Sequence, residues 1–271
     1  MKKMIVTACV AIASAVAIAD AVQSSNTFGV LKVATGCNGT NKKQFVVPVT
    51  WEAVGTAGTA IAPTDLVLAS NLIAGDTPDR LYASQGGSLG AWKVIETDGV
   101  KSWSADPVSN TSVTPRVDYA AGSVTSIARG NALVVETAAD AIYLSGQYAS
   151  TASAVTIAAA TTDPSDGKMS ATFTLIGGHL AKDIDLNTDV TFSEGIAKGD
   201  EIRLSLNDVY TYNSKTGKWQ KPNGTENVAI DGEVIPVTTY TTDGVIIPQG
   251  QGAWYVRKAT SSITMTFKAS E

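Results

Sequence analysis

The chain has 271 residues, a formal net charge of −5, 44% hydrophobic residues and 17% charged residues. That hydrophobic content excludes a disordered polar tail. The mildly acidic balance, with no basic run, excludes a surface built to neutralise nucleic-acid phosphates.

The N-terminus reads as an export signal. Lys2 and Lys3 precede the apolar run 4–18. Ala17-Ile18-Ala19 fits the small-x-small cleavage rule, which makes residues 1–19 the leader and Asp20 the new terminus; Ala19-Asp20-Ala21 is the alternative site. The run is short of the ~20 residues that span a bilayer. Val6-Thr7-Ala8-Cys9 resembles a lipoprotein box, but the apolar run continues past Cys9, so ordinary export is the expectation. Cleavage removes two lysines and no acid, moving the net charge from −5 to −7. No membrane span is expected afterwards. Cys37 is then the single cysteine, in the turn-rich stretch ATGCNGTNKK. It rules out an intramolecular disulfide and a cysteine-rich metal site, and leaves an intermolecular disulfide open.

Small and β-branched residues dominate the rest, a composition for short strands and tight turns. Residues 45–49, FVVPV, read as a strand, with Pro48 marking an edge or a bulge. Residues 64–73 suit one or two helical turns capped by Thr64 or Asp65. Gly75-Asp76 then precedes a strand at Arg80-Leu81-Tyr82. Residues 172–176, TFTLI, are again strand-like.

His179, in LIGGHLAKD, is the one histidine of the chain. A Ser/His/Asp or Cys/His mechanism would have to use it, and no G-x-S-x-G elbow accompanies it. A turn position is the expectation. The segment DIDLNTDVTFSE comes next. It places Asp183, Asp185, Asn187, Asp189 and Glu194 at the oxygen-donor spacing of a calcium loop. Thr188 stands where such a loop needs glycine, however. Ile184, Leu186, Thr188, Val190 and Phe192 also alternate as in a half-buried strand with acids outward. The strand is preferred, and no metal or other cofactor is expected.

Residues 209–221, VYTYNSKTGKWQK, read as a β-hairpin with tyrosines facing Trp219. GAWKVIETDGVKSW in the first half places Trp92 where the second half has Trp219. Last comes IIPQGQGAWYVRK, with Gly250, Gly252 and the basic pair Arg257-Lys258. A dinucleotide loop needs a helix after its glycines. The residues after Gly252 are strand-like instead, so the glycines read as turn punctuation.

The two halves match in order. Ile127, Gly130, Val134-Val135 and Ile142 correspond to Ile247, Gly250, Trp254-Tyr255 and Ile263. Ile61, Ile73, Arg80 and Leu81 correspond to Ile184, Ile196, Arg203 and Leu204, and Gly75-Asp76 to Gly199-Asp200. Residues 29–33 correspond to 154–158, and the offsets drift only between 120 and 125. The expected fold is all-β: two tandem, duplicated β-sandwich or barrel-like modules, 20–150 and 151–271, joined in the small-residue stretch 149–153.

Trp51, Trp92, Trp103, Trp219, Trp254, Tyr210, Tyr212 and Tyr255 are the aromatic candidates for a sugar platform. Tyr210, Tyr212, Trp219 and Trp254 carry the glycan alternative; packing inside the modules is the preferred role. Asn38, Asn110 and Asn223 open N-x-[ST] triplets, read here as turns. No paired carboxylates or other catalytic constellation are indicated.

Taken together, the residues resemble a family of exported β-proteins without an assigned activity, found as large paralogous sets in bacteria of the Verrucomicrobia and Lentisphaerae group. The likeness rests on the short Lys-rich leader and SSNTFGVLKV near the mature start. It also rests on I-x-x-G-D at Ile196, TLIGG at Thr174 and I-P-x-G-Q-G-x-W-Y at Ile247. It implies export and a β fold, with no catalytic residues to carry over. The functional expectation is an exported, non-catalytic structural protein, extracellular or at the cell surface, with the periplasm as the alternative compartment. Its expected partner is a further copy of itself. The alternative is an extracellular carbohydrate-binding module using the aromatics.

Overall fold

The computed structural model describes residues 28–49, 51–52, 60–85, 88–110, 117–148, 152–162, 169–177, 182–193, 195–205, 207–230 and 233–269. Residues 1–19, expected as a leader, residues 149–151 in the expected joint, His179 and Glu194 lie outside the described residues. The first half runs β1 (Phe28–Ala34), β2 (Lys43–Pro48), β3 (Trp51–Glu52), α1 (Pro63–Leu66), β4 (Val67–Leu68), β5 (Arg80–Gln85), β6 (Ser88–Thr97), β7 (Val100–Ala105), β8 (Val108–Asn110), β9 (Val117–Ala121), β10 (Ala132–Thr137) and β11 (Ala141–Tyr148). The second runs β12 (Ser153–Ile157), β13 (Thr161–Thr162), β14 (Met169–Ser170), β15 (Thr172–Ile176), β16 (Ile184–Asp185), β17 (Val190–Phe192), β18 (Glu201–Arg203), β19 (Val209–Asn213), β20 (Lys218–Ile230), β21 (Glu233–Thr241), β22 (Ile246–Ile247), β23 (Ala253–Arg257) and β24 (Ile263–Phe267). The fold is all-β, and among the described residues no helix is long and apolar enough to cross a membrane.

Helix α1 is a single turn. Pro63 suits its first position, but the N-cap is Ala62, with no side-chain bond, rather than Thr64 or Asp65. Extended Val67 ends it at once.

Each half is a sandwich. In the first, β1-β11-β3, with β4 on β11, faces the larger sheet β2-β10-β5-β6. Alternate residues of both sheets fill one core: Val47, Leu81, Val94, Leu133 and Val135 from one side, Val67, Ile142 and Leu144 from the other. In the second, β12-β24-β17 faces β15-β23-β18-β19-β20 over Val155, Ile157, Ile202, Tyr255, Met265 and Phe267. Pro48 does fall on an edge strand, β2.

The pairing order is the same twice. β11 pairs β1 and β4 as β24 pairs β12 and β17. β10 pairs β2 and β5 as β23 pairs β15 and β18. The bridge Ile61–Ile127 sits where Ile184 pairs Ile247. The register differs from the sequence alignment at two places, though. Leu81 opposite Val135 corresponds to Ile202 opposite Tyr255, so Arg80 matches Glu201 and not Arg203. Val94 faces Trp103 as Tyr212 faces Trp219. The counterpart of Trp219 is therefore Trp103, and Trp92 matches Tyr210.

One buried aspartate anchors each half. Asp79 accepts bonds from Ile73 N (2.8 Å), Thr137 Oγ1 (2.6 Å) and Ala138 N (3.3 Å), while its carbonyl accepts Val94 N. Asp200 accepts Ala197 N (3.0 Å), Arg257 Nη1 (2.5 Å), Tyr255 Oη (3.0 Å) and Lys258 N (3.0 Å), while its carbonyl accepts Tyr212 N. The bonds correspond one for one, except that buried Arg257 replaces Thr137 and Tyr255 adds a donor. Each carboxylate ties its loop to the end of the central strand, so that neither backbone donor is orphaned.

The outer faces of the two larger sheets meet. Tyr82, Ala91, Ala132 and Val134 pack with Leu175 and beside Val46 and Trp254. Gly177 N donates to Gly130 O (2.7 Å), and Gly252 N donates to Val46 O (2.9 Å) on the edge of β2. Gly130 and Gly250 both have positive φ, 89° and 73°, as turn glycines before β10 and β23. Gly252 has a different role. A Cβ there would lie 2.7 Å from Val46 Cγ1 and 2.8 Å from Ile176 O, so it is small because the modules touch.

Candidate functional site

The hairpin β19–β20 forms as its sequence dictates. Asn213 closes the turn by accepting Lys215 N on its side chain and Gly217 N on its carbonyl, with Gly217 at φ 68°. Tyr212 stands opposite Trp219, ring centroids 5.5 Å apart. Phe192 and Tyr255 complete an aromatic cluster around Trp219, at 6.0 and 5.7 Å. Trp219 is 2% exposed and Tyr210 4%. Tyr212 is partly buried against the same core, and partly buried Trp254 meets the edge of Phe173 beside the inter-module contact. The four aromatics are thus placed in packing, not side by side on a surface.

The acidic segment is a turn between two short strands, not one strand, so Thr188 is exposed and leaves the apolar row. Asp185 Oδ1 accepts Asn187 N (2.8 Å), Asp189 Oδ2 accepts Asp185 N (3.0 Å), and Asp183 Oδ1 accepts Gln249 N (2.8 Å). Lys182 Nζ lies 3.5 Å from Asp189. Asn187 turns to the hairpin: its Oδ1 accepts Trp219 N (2.8 Å), and its Nδ2 donates to the carbonyls of Trp219 and Thr242. Among the described residues no three His, Cys, Asp or Glu side chains gather to hold a metal. The segment acts as a clamp on the root of the hairpin.

Burial acts on the titration of four groups and is outweighed at one of them. It pushes the Tyr255 phenol up, helped by Asp200, and the Tyr210 phenol up, helped by Asp208 against the bond to Ile246 O. Burial also raises Glu201, but hydrogen bonds from Lys258 and Arg203 outweigh it and hold the carboxyl below the usual range. Burial lowers Lys42, against the attraction of Asp79. Arg257 is fully buried on Asp200, so the basic pair after the glycines presents no guanidinium to a phosphate.

Two shallow grooves open on the first module. One, of about 510 Å³, is lined by Asp76, Arg80, Lys93 and Glu96; Asp106 pairs with both cations, at 2.6 and 3.3 Å. The other, of about 400 Å³, runs past Thr64, Trp92 and Trp103. Trp103 Nε1 there donates to Val67 O (2.6 Å), and Lys101 Nζ donates to Leu72 O (2.7 Å).

The feature that packing does not absorb is the arm. Among the described residues β20 pairs β19 only through Lys218–Gln220; beyond that it pairs β21 alone, to Ile230 opposite Glu233. Val228, Ile235 and Val237 share one face with Glu226 and Glu233, because residues two apart point the same way. The other face shows Val234, 68% exposed, and Tyr240, 49% exposed. Residues 222–242 carry three acids and no base. The corresponding hairpin of the first half, β8–β9, folds back instead, and β9 pairs β6 in parallel. Sequence reasoning saw the root of this hairpin but not its length, though the alternation after Glu226 with Asp231-Gly232 between apolar runs is a hairpin pattern.

No protein-family model and no solved structure matches the chain. Outer surface protein B of Borreliella burgdorferi is similar to it, 33% identical over 75 residues, which is 28% of this chain and 25% of that protein. The chain therefore matches only about a quarter of the length of this curated relative.

Proposed function

We propose that the chain is an exported, non-catalytic structural protein of the cell surface that assembles with copies of itself. The observation that carries this is the β20–β21 arm, which extends from the sandwich with Val228, Val234, Ile235, Val237 and Tyr240 exposed. Large apolar side chains gathered on a strand pair mark contact surfaces. The leader-like sequence of residues 1–19 supports export, and the partial likeness to a protein named for the outer surface supports the location. The paired charges of the first groove favour a non-catalytic role. The common pairing order and the paired aspartates support two modules copied from one.

Fractionation of the producing cells tests the proposal. The chain is expected in a high-mass surface fraction and open to protease added to intact cells. Recovery as a free, protease-protected periplasmic monomer would contradict it.

A second reading, an extracellular carbohydrate-binding module, is favoured by the groove beside Trp92 and Trp103. It predicts a positive glycan array that Trp103→Ala silences. An array without a bound sugar would dismiss it.

A further inference from the structure

We infer that the β20–β21 arm of one copy docks on the β1 edge of a second copy, so that copies add head to tail. The inference rests on the self-assembly proposed above and names its surfaces. Among the described residues both strands have an unpaired side: β21 pairs only β20, and β1 pairs only β11. Charge then selects between the available contacts. Two arms laid face to face would bring Glu226 and Glu233 against their own copies across an apolar contact, which is repulsive. Among the described residues, large hydrophobics are exposed outside the arm at Val30 and Val100. Val100 shares its hairpin with Glu96 and Asp98, acids of the arm's own sign.

β1 is the complementary surface. Val30, Lys32 and Ala34 alternate outward, while Leu31 and Val33 turn to the core. Its seven residues hold one cation and no carboxylate. Lys32 Nζ stands 6.0 Å from the Tyr143 ring centroid, and no carboxylate pairs with it among the described residues. An apolar strip with a base thus meets an apolar strip with acids. Pro236 removes one N–H from β21, which blunts an unbroken strand ladder and leaves side-chain contact to carry the docking. Because the two surfaces differ, the contact is heterologous and propagates into an open chain where its rotation does not close a ring.

Charge exchange tests the pairing. Glu226→Lys with Glu233→Lys, Lys32→Glu, and all three together are compared with the parent chain, purified after export, by light scattering over a concentration series. The parent is expected to grow with concentration. Each reversal alone is expected to weaken association by about tenfold or more, as for like charges forced together at an interface. The combined variant is expected to recover. All three sites are on the surface, so unchanged melting temperatures check that the variants are folded. A parent that assembles while the single reversals behave like it, or a combined variant that fails to recover, overturns these surfaces and leaves the assembly proposal standing. A parent that stays monomeric overturns both.

Discussion

Asp200 and Arg257 illustrate what a single residue contributes here. Both side chains are fully buried, and neither is tolerable without the other. Asp200→Asn should destabilise the chain by about 3–5 kcal/mol, because the guanidinium keeps its charge and loses its counter-ion. Asp79→Asn should be milder, about 1–3 kcal/mol, because the partners it leaves are a hydroxyl, backbone N–H groups and the Lys42 ammonium, which lies 3.8 Å away and keeps contact with water. Urea unfolding of the two variants compares them directly; equal losses would show that the ion pair adds nothing to the shared loop anchor. The tyrosines give a pH prediction. Burial raises the folded values of Tyr210 and Tyr255 above that of an unfolded phenol, about 10. Stability from them is full below that value and falls as pH rises toward the folded values. Absorbance titration should therefore show these two of the eight tyrosines ionising late, with the unfolding transition. Ionisation of all of them near pH 10 in the folded chain would contradict their burial. The sequence pointed to Asp200 but paired it with Asp76. The loop before β5 holds three more residues than its counterpart, and an insertion of that kind is invisible without the bonds that fix the register.

At the scale of elements, period-2 alternation and turn glycines were the legible features, and contacts between elements were not. Gly250 and the β19–β20 hairpin follow from local chemistry alone. Gly252 does not, because its requirement comes from Val46 and Ile176, far away in sequence. Gly252→Ala should cost about 1–3 kcal/mol by forcing the sheets apart, as over-packing does. Melting curves would show it as a lowered midpoint, and an unchanged midpoint would mean the inter-module contact gives way freely. The acidic segment, expected as one strand, is a turn for a similar reason. Its donor spacing is that of a metal loop, but the carboxylates and Asn187 bind backbone groups of their own turn and of the hairpin root. Trp219 reads from sequence as a packing aromatic first and a surface one second, and its 2% exposure puts it in the core. Trp219→Ala should cost about 3–5 kcal/mol, the usual loss for a buried large aromatic. A variant of native stability would place the ring outside the core.

The whole molecule is two sandwiches of one pairing order, set outer face to outer face. The all-β fold was foreseeable from short alternating runs and turn glycines along both halves; the meeting of the two larger sheets was not. The difference between the halves was not foreseeable: one terminal hairpin folds back on β6, and the other extends as an apolar, acidic arm. A hairpin's direction is set by what it packs against, and no local pattern records it. The proposed self-assembly depends on that arm. Light scattering of the exported chain over a concentration series, in low salt, tests its role most directly. Growth from a monomer, lighter than the 28.0 kDa of the uncleaved chain, into larger species as concentration rises is the predicted result. A constant monomer mass at every concentration would contradict self-assembly and leave the arm without its proposed partner.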